Sequence, residues 1–221
     1  MLMTIGGLFV ATILLAISLF TKKWWLTKFT LGGVAIWFIF YGLMLFGFSL
    51  LSTEKILAVN EPKAYCGFYF DCHLHAVVTK VETADRYLGR KADGKFYGVV
   101  VKVFSDAGNP DIRFHLIDPA MVIIDSQGNR FERNERVEDD LYSQPVWLGA
   151  DIRGNETLEK ELVFDIPASS TGLKMEITEG HPVDRLIEYF LIGDEDSIWH
   201  ERSYFNIQEK NETASAEART K

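Results

Sequence analysis

From Leu2 to Phe20 no charged side chain interrupts the chain, and a second uncharged run follows from Phe29 to Leu51. At 1.5 Å per residue the first run makes a helix of about 28 Å, close to the hydrocarbon thickness of a bilayer. The second is longer and spans the same thickness with some tilt. Neither run shows the polar stripe that a helix on the core of a soluble domain carries. The pattern therefore predicts a transmembrane hairpin over residues 1–53, with helices at 2–20 and 29–51.

Beyond Leu51 the period changes from helical to alternating. His75, Val77, Thr79, Val81 and Thr83 alternate with Leu74, Ala76, Val78 and Lys80, which predicts a strand near His73 to Glu82. Phe96 to Phe104 is β-branched and aromatic and ends at the turn-forming Asp106 to Pro110. Met121 to Asp125, then Ser-Gln-Gly-Asn, then Arg130-Phe131 reads as a hairpin turning at Gly128. Thr157 to Ile166 is a further strand, stopped by Pro167, and Leu173 to Thr178 another. Arg185 to Ile192 suits a strand or a short helix, and its setting among strands favours the strand. Short strands with Gly, Pro and Asn punctuation predict an antiparallel β-sandwich over 73–208. Residues 54–72 read as a linker, and the polar, aperiodic 209–221 as a disordered tail.

Charge sharpens this picture. Lys22, Lys23 and Lys28 are the only charged residues in the first 51, so 20 of the 23 basic and all 31 acidic residues follow them, a net −11. Basic residues are retained on the cytoplasmic side, so these lysines predict a cytoplasmic hairpin turn, with both termini and the β-domain outside. Trp24 and Trp25 suit the headgroup region beside that turn. The alternative for the first run is a cleaved signal sequence, with Ala16-Ile17-Ser18 as the cleavage site. Against it stand the lack of a basic residue before the run and the Lys-Lys-Trp-Trp after Phe20. An acidic domain disfavours nucleic acid as a partner and leaves membrane lipid and an envelope protein as the expected ones.

Candidate chemistry is sparse. The two cysteines, Cys66 and Cys72, are close in sequence and on the predicted outer side, so a local disulfide is the expectation. The competing reading adds His73 and His75 to make a zinc site, but ligands so tightly packed need an unusual backbone path. His73 and His75 share one strand face and are expected to meet solvent. Asp194-Glu195-Asp196-Ser197 is a compact acidic turn that could offer oxygens to calcium, yet it lacks the glycine and distal glutamate of a calcium loop. A solvated, self-capping turn is the plainer reading, also for Glu138-Asp139-Asp140. No phosphate loop, nucleophile elbow or His-Glu-x-x-His pair occurs. No cofactor is expected and no catalytic residue is assigned. Tyr142, Trp147, Tyr189 and Trp199 are candidate contact residues if the core does not absorb them.

Phe96-Tyr-Gly-Val-Val-Val-Lys-Val-Phe104, the Ile124 to Phe131 hairpin, and Gly154-Asn-Glu ahead of Leu162-Val-Phe-Asp-Ile-Pro167 resemble the DUF4352, telokin-like family. The resemblance spans roughly Tyr65 to Ile177. It implies an immunoglobulin-like sandwich tethered outside a bacterial membrane, and it brings no active site. The expected function is a membrane-tethered binding or interaction module of the envelope. The alternatives are an accessory subunit of a larger membrane complex, or a metal-assisted extracytoplasmic enzyme.

Overall fold

The computed structural model describes residues 2–65, 72–142, 146–180 and 182–208. The elements run α1 (Leu2–Phe20), α2 (Trp24–Leu51), β1 (Lys55–Leu57), β2 (Lys63–Tyr65), β3 (Leu74–Tyr87), β4 (Arg90–Ser105), β5 (Arg113–Phe114), β6 (Ala120–Ile124) and β7 (Arg130–Phe131). There follow α3 (Glu135–Leu141), β8 (Ile152–Arg153), β9 (Thr157–Ile166), β10 (Lys174–Thr178), α4 (Pro182–Glu188) and β11 (Ser203–Asn206). They form two compact units: residues 1–54 with 182–202, and residues 55–181 with the chain from Ser203 onward.

In the first unit α1 and α2 are both long and apolar enough to cross a membrane. The turn between them is tighter than the sequence suggests. Helix resumes at Trp24, so Trp24, Trp25 and Lys28 lie in α2, and only Lys22 and Lys23 remain in the turn. Nothing in Trp-Trp-Leu-Thr-Lys opposes helix, and the reversal is made by Lys22, at φ +55°. Ser18 Oγ donates to the Lys23 carbonyl at 2.9 Å and also bonds the Thr27 hydroxyl, which pins the turn.

The second unit is a β-sandwich. One sheet has the order β1-β11-β10-β6-β7 and the other β2-β3-β4-β9; every pairing is antiparallel except β1 with β11. Alternation decides which side chains meet between them. Val99, Val101 and Val103 of β4 and Leu162, Phe164 and Ile166 of β9 face Ile123, Met175, Ile177 and Phe205 of the other sheet, all essentially without solvent contact. Tyr65 Oη and Lys63 Nζ, two apart on β2, both donate to the Ile177 carbonyl at 3.1 and 3.3 Å and tie the sheets together. The long β3–β4 hairpin closes through Leu88-Gly89, whose positive φ values of +47° and +78° match the strand twist.

Several expectations are corrected. The segment 54–72, expected to be a linker, contributes β1 and β2 to the sandwich, because Leu57 and Tyr65 supply core side chains that the strands need. Arg185 to Ile192 is not a strand: α4 covers Pro182–Glu188, and the chain then turns. Its apolar residues do not alternate as a sandwich strand requires, and the segment belongs to the unit of α1 and α2. The tail 209–221 lies outside the described residues, as do Cys66 and His181.

Candidate functional site

The register of β3 on β4 brings together residues far apart in sequence. His75 pairs with Phe104 and Leu74 with Ser105, which places Asp106 beside the start of β3. Its Oδ1 lies 2.6 Å from His73 Nδ1. His75 stacks flat on Phe104, with ring centroids 5.0 Å apart, and its Nε2 lies 3.2 Å from Asp106 Oδ2. That nitrogen is enclosed and lacks directed hydrogen-bond geometry, so the approach is a charge contact that operates when the ring is protonated. The hydrogen bond from His73, with help from His75, holds the Asp106 carboxyl below its ordinary range.

The same end of the sandwich is built outward by the short β5–β8 ladder, which pairs Phe114 with Ile152. The Phe114 ring meets His73 edge-on at 6.4 Å. His115 Nδ1 lies 3.1 Å from Asp151, which Arg113 also approaches at 3.7 Å. Trp147 stands out from this end at 61% exposure. Its indole lies over Gly149, where a Cβ would come within 2.7 Å of the ring. Gly154 permits a similarly close approach to the Ala107 and Asn109 carbonyls. The result is a sandwich end carrying three histidines, each against an aspartate, next to an exposed indole. It can offer hydrogen bonds. Its donors engage each other, and no group of three or more side chains suited to a metal ion occurs among the described residues.

A second polar centre lies on the outer edge of β9. Glu138 of α3, 1% exposed, receives Arg133 at 2.9 Å and Lys160 at 2.9 Å. One of its oxygens also accepts the Val163 N–H at 3.1 Å. The Asn134 N–H donates to the Val163 carbonyl, and Tyr142 Oη accepts the Glu161 N–H at 2.7 Å. Val137 packs with Ala92, Phe96 and Val163 in a small cluster of its own. Beside α3 is an open cleft of about 750 Å³, lined by Met121, Arg133, Arg136 and Asp165 among others. Asp165 accepts from the Asp93 and Gly94 N–H groups, and Arg133 is held by Glu138, so two of its charged groups are already engaged.

No protein-family model matches the chain, and no curated protein is similar to it. Among solved structures it is similar to the secreted protein MPT63 of Mycobacterium tuberculosis, with 13% identity, a TM-score of 0.39, and coverage of 58% of this chain and 98% of that one. It is also similar to an uncharacterised β-sandwich protein of Clostridium difficile, with 8% identity, a TM-score of 0.40, and coverage of 71% and 96%. The yjhA protein of Bacillus subtilis follows at 12% identity, a TM-score of 0.38, and coverage of 54% and 78%.

The residues singled out in the sequence fall as follows. Cys72 lies just before β3, while Cys66 is outside the described residues. Asp194, Glu195 and Asp196 belong to no group of three or more His, Cys, Asp or Glu side chains suited to a metal ion among the described residues. Asp194 Oδ1 accepts the Asp196 N–H at 2.9 Å, Asp196 pairs with Arg202 at 2.9 Å, and Ser197 is buried against Ser49. Glu138 is not a solvated turn residue but the buried charge of a network. Trp147, Tyr189 and Trp199 are exposed rather than core. Alternation alone puts His73 and His75 on a solvent-facing side of the strand and gives no link to Asp106. The link lies 33 residues away in His73's case, and only the hairpin register reveals it.

Proposed function

We propose that this chain is a membrane-tethered, extracytoplasmic β-sandwich that binds a protein partner of the cell envelope through the loop end bearing Trp147, His73 and His115. The observation that carries the tether is the state of α1 and α2. Their apolar side chains, from Met3 and Phe9 to Phe38 and Leu51, stand largely uncovered, which water does not tolerate over such an area. The three lysines at and just after the turn support placing the turn in the cytoplasm and the sandwich outside. A Cys66–Cys72 disulfide, which that compartment permits, belongs to the same proposal, as does the DUF4352 resemblance.

The contact end is favoured over the sheet edges on geometric grounds. The outer edge of β9 is occupied by Glu138, Asn134 and Tyr142, and β1, β2 and β7 are only two or three residues long. Strand addition therefore has little open backbone to use. The exposed indole of Trp147 is the type of side chain that anchors a protein contact.

The test is a membrane-impermeant thiol reagent applied to intact cells producing the full chain. Labelling of both cysteines only after reduction supports an outer domain with a disulfide. Labelling without reduction removes the disulfide, and labelling only after permeabilisation places the domain in the cytoplasm.

A further inference from the structure

The excursion between β10 and β11 is the part of the chain that neither sandwich nor hairpin accounts for. It packs along the C-terminal turns of α2. Tyr41 Oη donates to the Phe190 carbonyl, the Trp199 ring lies on Phe46 with centroids 5.0 Å apart, Ser197 Oγ meets Ser49 Oγ at 3.3 Å, and the Glu201 N–H donates to Ser52 Oγ at 2.8 Å. At 1.5 Å per residue Tyr41 lies about 15 Å below the Leu51 end of α2, and Phe46 about 7 Å below it. The excursion thus descends beside the last turns of α2 and comes back to its end.

Its side chains are sorted accordingly. Leu186, Tyr189, Phe190, Ile192 and Trp199 are exposed, between 39% and 66%, on a segment packed against a helix whose own apolar faces are uncovered. Some of the polar groups turn inward or pair: Ser197 is buried against Ser49, and Asp196 holds Arg202, while Arg185 and Glu201 stay exposed. The turn also bonds its own backbone. The Tyr189, Phe190 and Leu191 N–H groups donate to the carbonyls of Arg185, Ile187 and Glu188, and the Ile198 N–H closes the two limbs onto Tyr189 at 3.1 Å. Backbone groups bonded within the segment avoid the cost that unsatisfied ones carry away from water.

We propose that residues 182–202 form a lipid-facing anchor beside the C-terminal turns of α2, with Trp199 at the headgroup–acyl boundary, Tyr189 and Phe190 deeper among the acyl chains, and Leu186 and Ile192 against lipid beside them. Tyrosine and tryptophan with aliphatic neighbours are the composition that this boundary takes up. The occupant of the face is lipid because the face is continuous with the uncovered surface of α2. The proposal rests on the reading of α1 and α2 as membrane spans.

The experiment uses the full chain in phosphatidylcholine nanodiscs, with variants that keep a single tryptophan at Trp199, Trp37 or Trp147 and phenylalanine at the other four. Lipid brominated near the glycerol is expected to quench Trp199 by more than half, lipid brominated deep in the chains to quench Trp37, and neither to affect Trp147. Quenching of Trp37 without quenching of Trp199 overturns the anchor and leaves the spans intact. An unquenched Trp37 overturns both. If the variants do not fold, photolabelling of the unaltered chain with a lipid-soluble carbene precursor decides the same question: adducts within 186–199 support the anchor, and adducts confined to α1 and α2 overturn it.

Discussion

The carboxylate of Glu138 accepts the backbone N–H of Val163 at 3.1 Å, so a side chain from a seven-residue helix stands where a neighbouring strand would otherwise pair. The same carboxylate neutralises Arg133 and Lys160, and the interaction therefore closes an edge and balances buried charge at once. An exposed ten-residue strand would be a template for aggregation.

Replacing Glu138 by alanine leaves Lys160 and the Val163 N–H without this acceptor, and removing one partner of a buried ion pair costs roughly 3 kcal/mol. The expected outcome for Glu138→Ala is a lower urea midpoint together with concentration-dependent aggregation. Glu138→Gln keeps an acceptor for Val163, and is expected to aggregate less than the alanine variant. Light scattering alongside the denaturation curve separates the two effects.

Gly94 lies where a Cβ would sit 2.1 Å from the Ile166 carbonyl oxygen. That oxygen is backbone and paired across β4–β9, so it cannot swing aside. Gly94→Ala is expected to destabilise the sandwich by about 2 kcal/mol through forced separation of the strands. Gly108→Ala, with open space around the position, is the control and should leave the thermal midpoint nearly unchanged.

Phe164 is fully buried between the sheets. Truncation to alanine removes its contacts and leaves a cavity, at a cost of roughly 3–5 kcal/mol. Chemical denaturation of Phe164→Ala should show this loss, whereas Phe190→Ala, outside the sandwich, should leave the sandwich transition in place.

Asp106 has a carboxyl held below its ordinary value of 3.8 by His73 and His75. A depressed carboxylate contributes stability that is present above the unfolded value and is lost as pH falls through the folded one. The stability that the carboxylate contributes over Asp106→Asn should therefore shrink as pH falls below its ordinary value of 3.8. A difference that stays undiminished through the acid limb contradicts the assignment. His73→Gln should shift the same window upward by removing the principal hydrogen bond.

Much of the sandwich was legible because alternation is a local property. Thr157 to Ile166 reads as a strand and is one, and the Met121 to Phe131 hairpin turns at Gly128 as its residues imply, with φ +82°. Strand ends were less legible: β3 runs on to Tyr87 and β4 begins at Arg90, since Leu88-Gly89 makes a tight turn inside a polar stretch that carries no strand pattern. Arg185 to Ile192 suits strand or short helix because its apolar residues lack a clear period, and packing on α2 makes the segment helix and turn rather than the favoured strand.

What the sequence by itself determined is whatever depends on neighbours within a few residues: two long uncharged runs that form helix, alternating strands, and an acidic domain after basic residues. Tertiary structure alone decided which distant groups meet. Asp106 reaches His73 through strand register, Glu138 reaches Val163 by the docking of α3, and Phe190 reaches Tyr41 across 149 residues of chain. Periodicity sets the face on which a side chain stands, whereas hydrogen bonds and ion pairs require positions fixed to within an ångström, and only the packed chain supplies them.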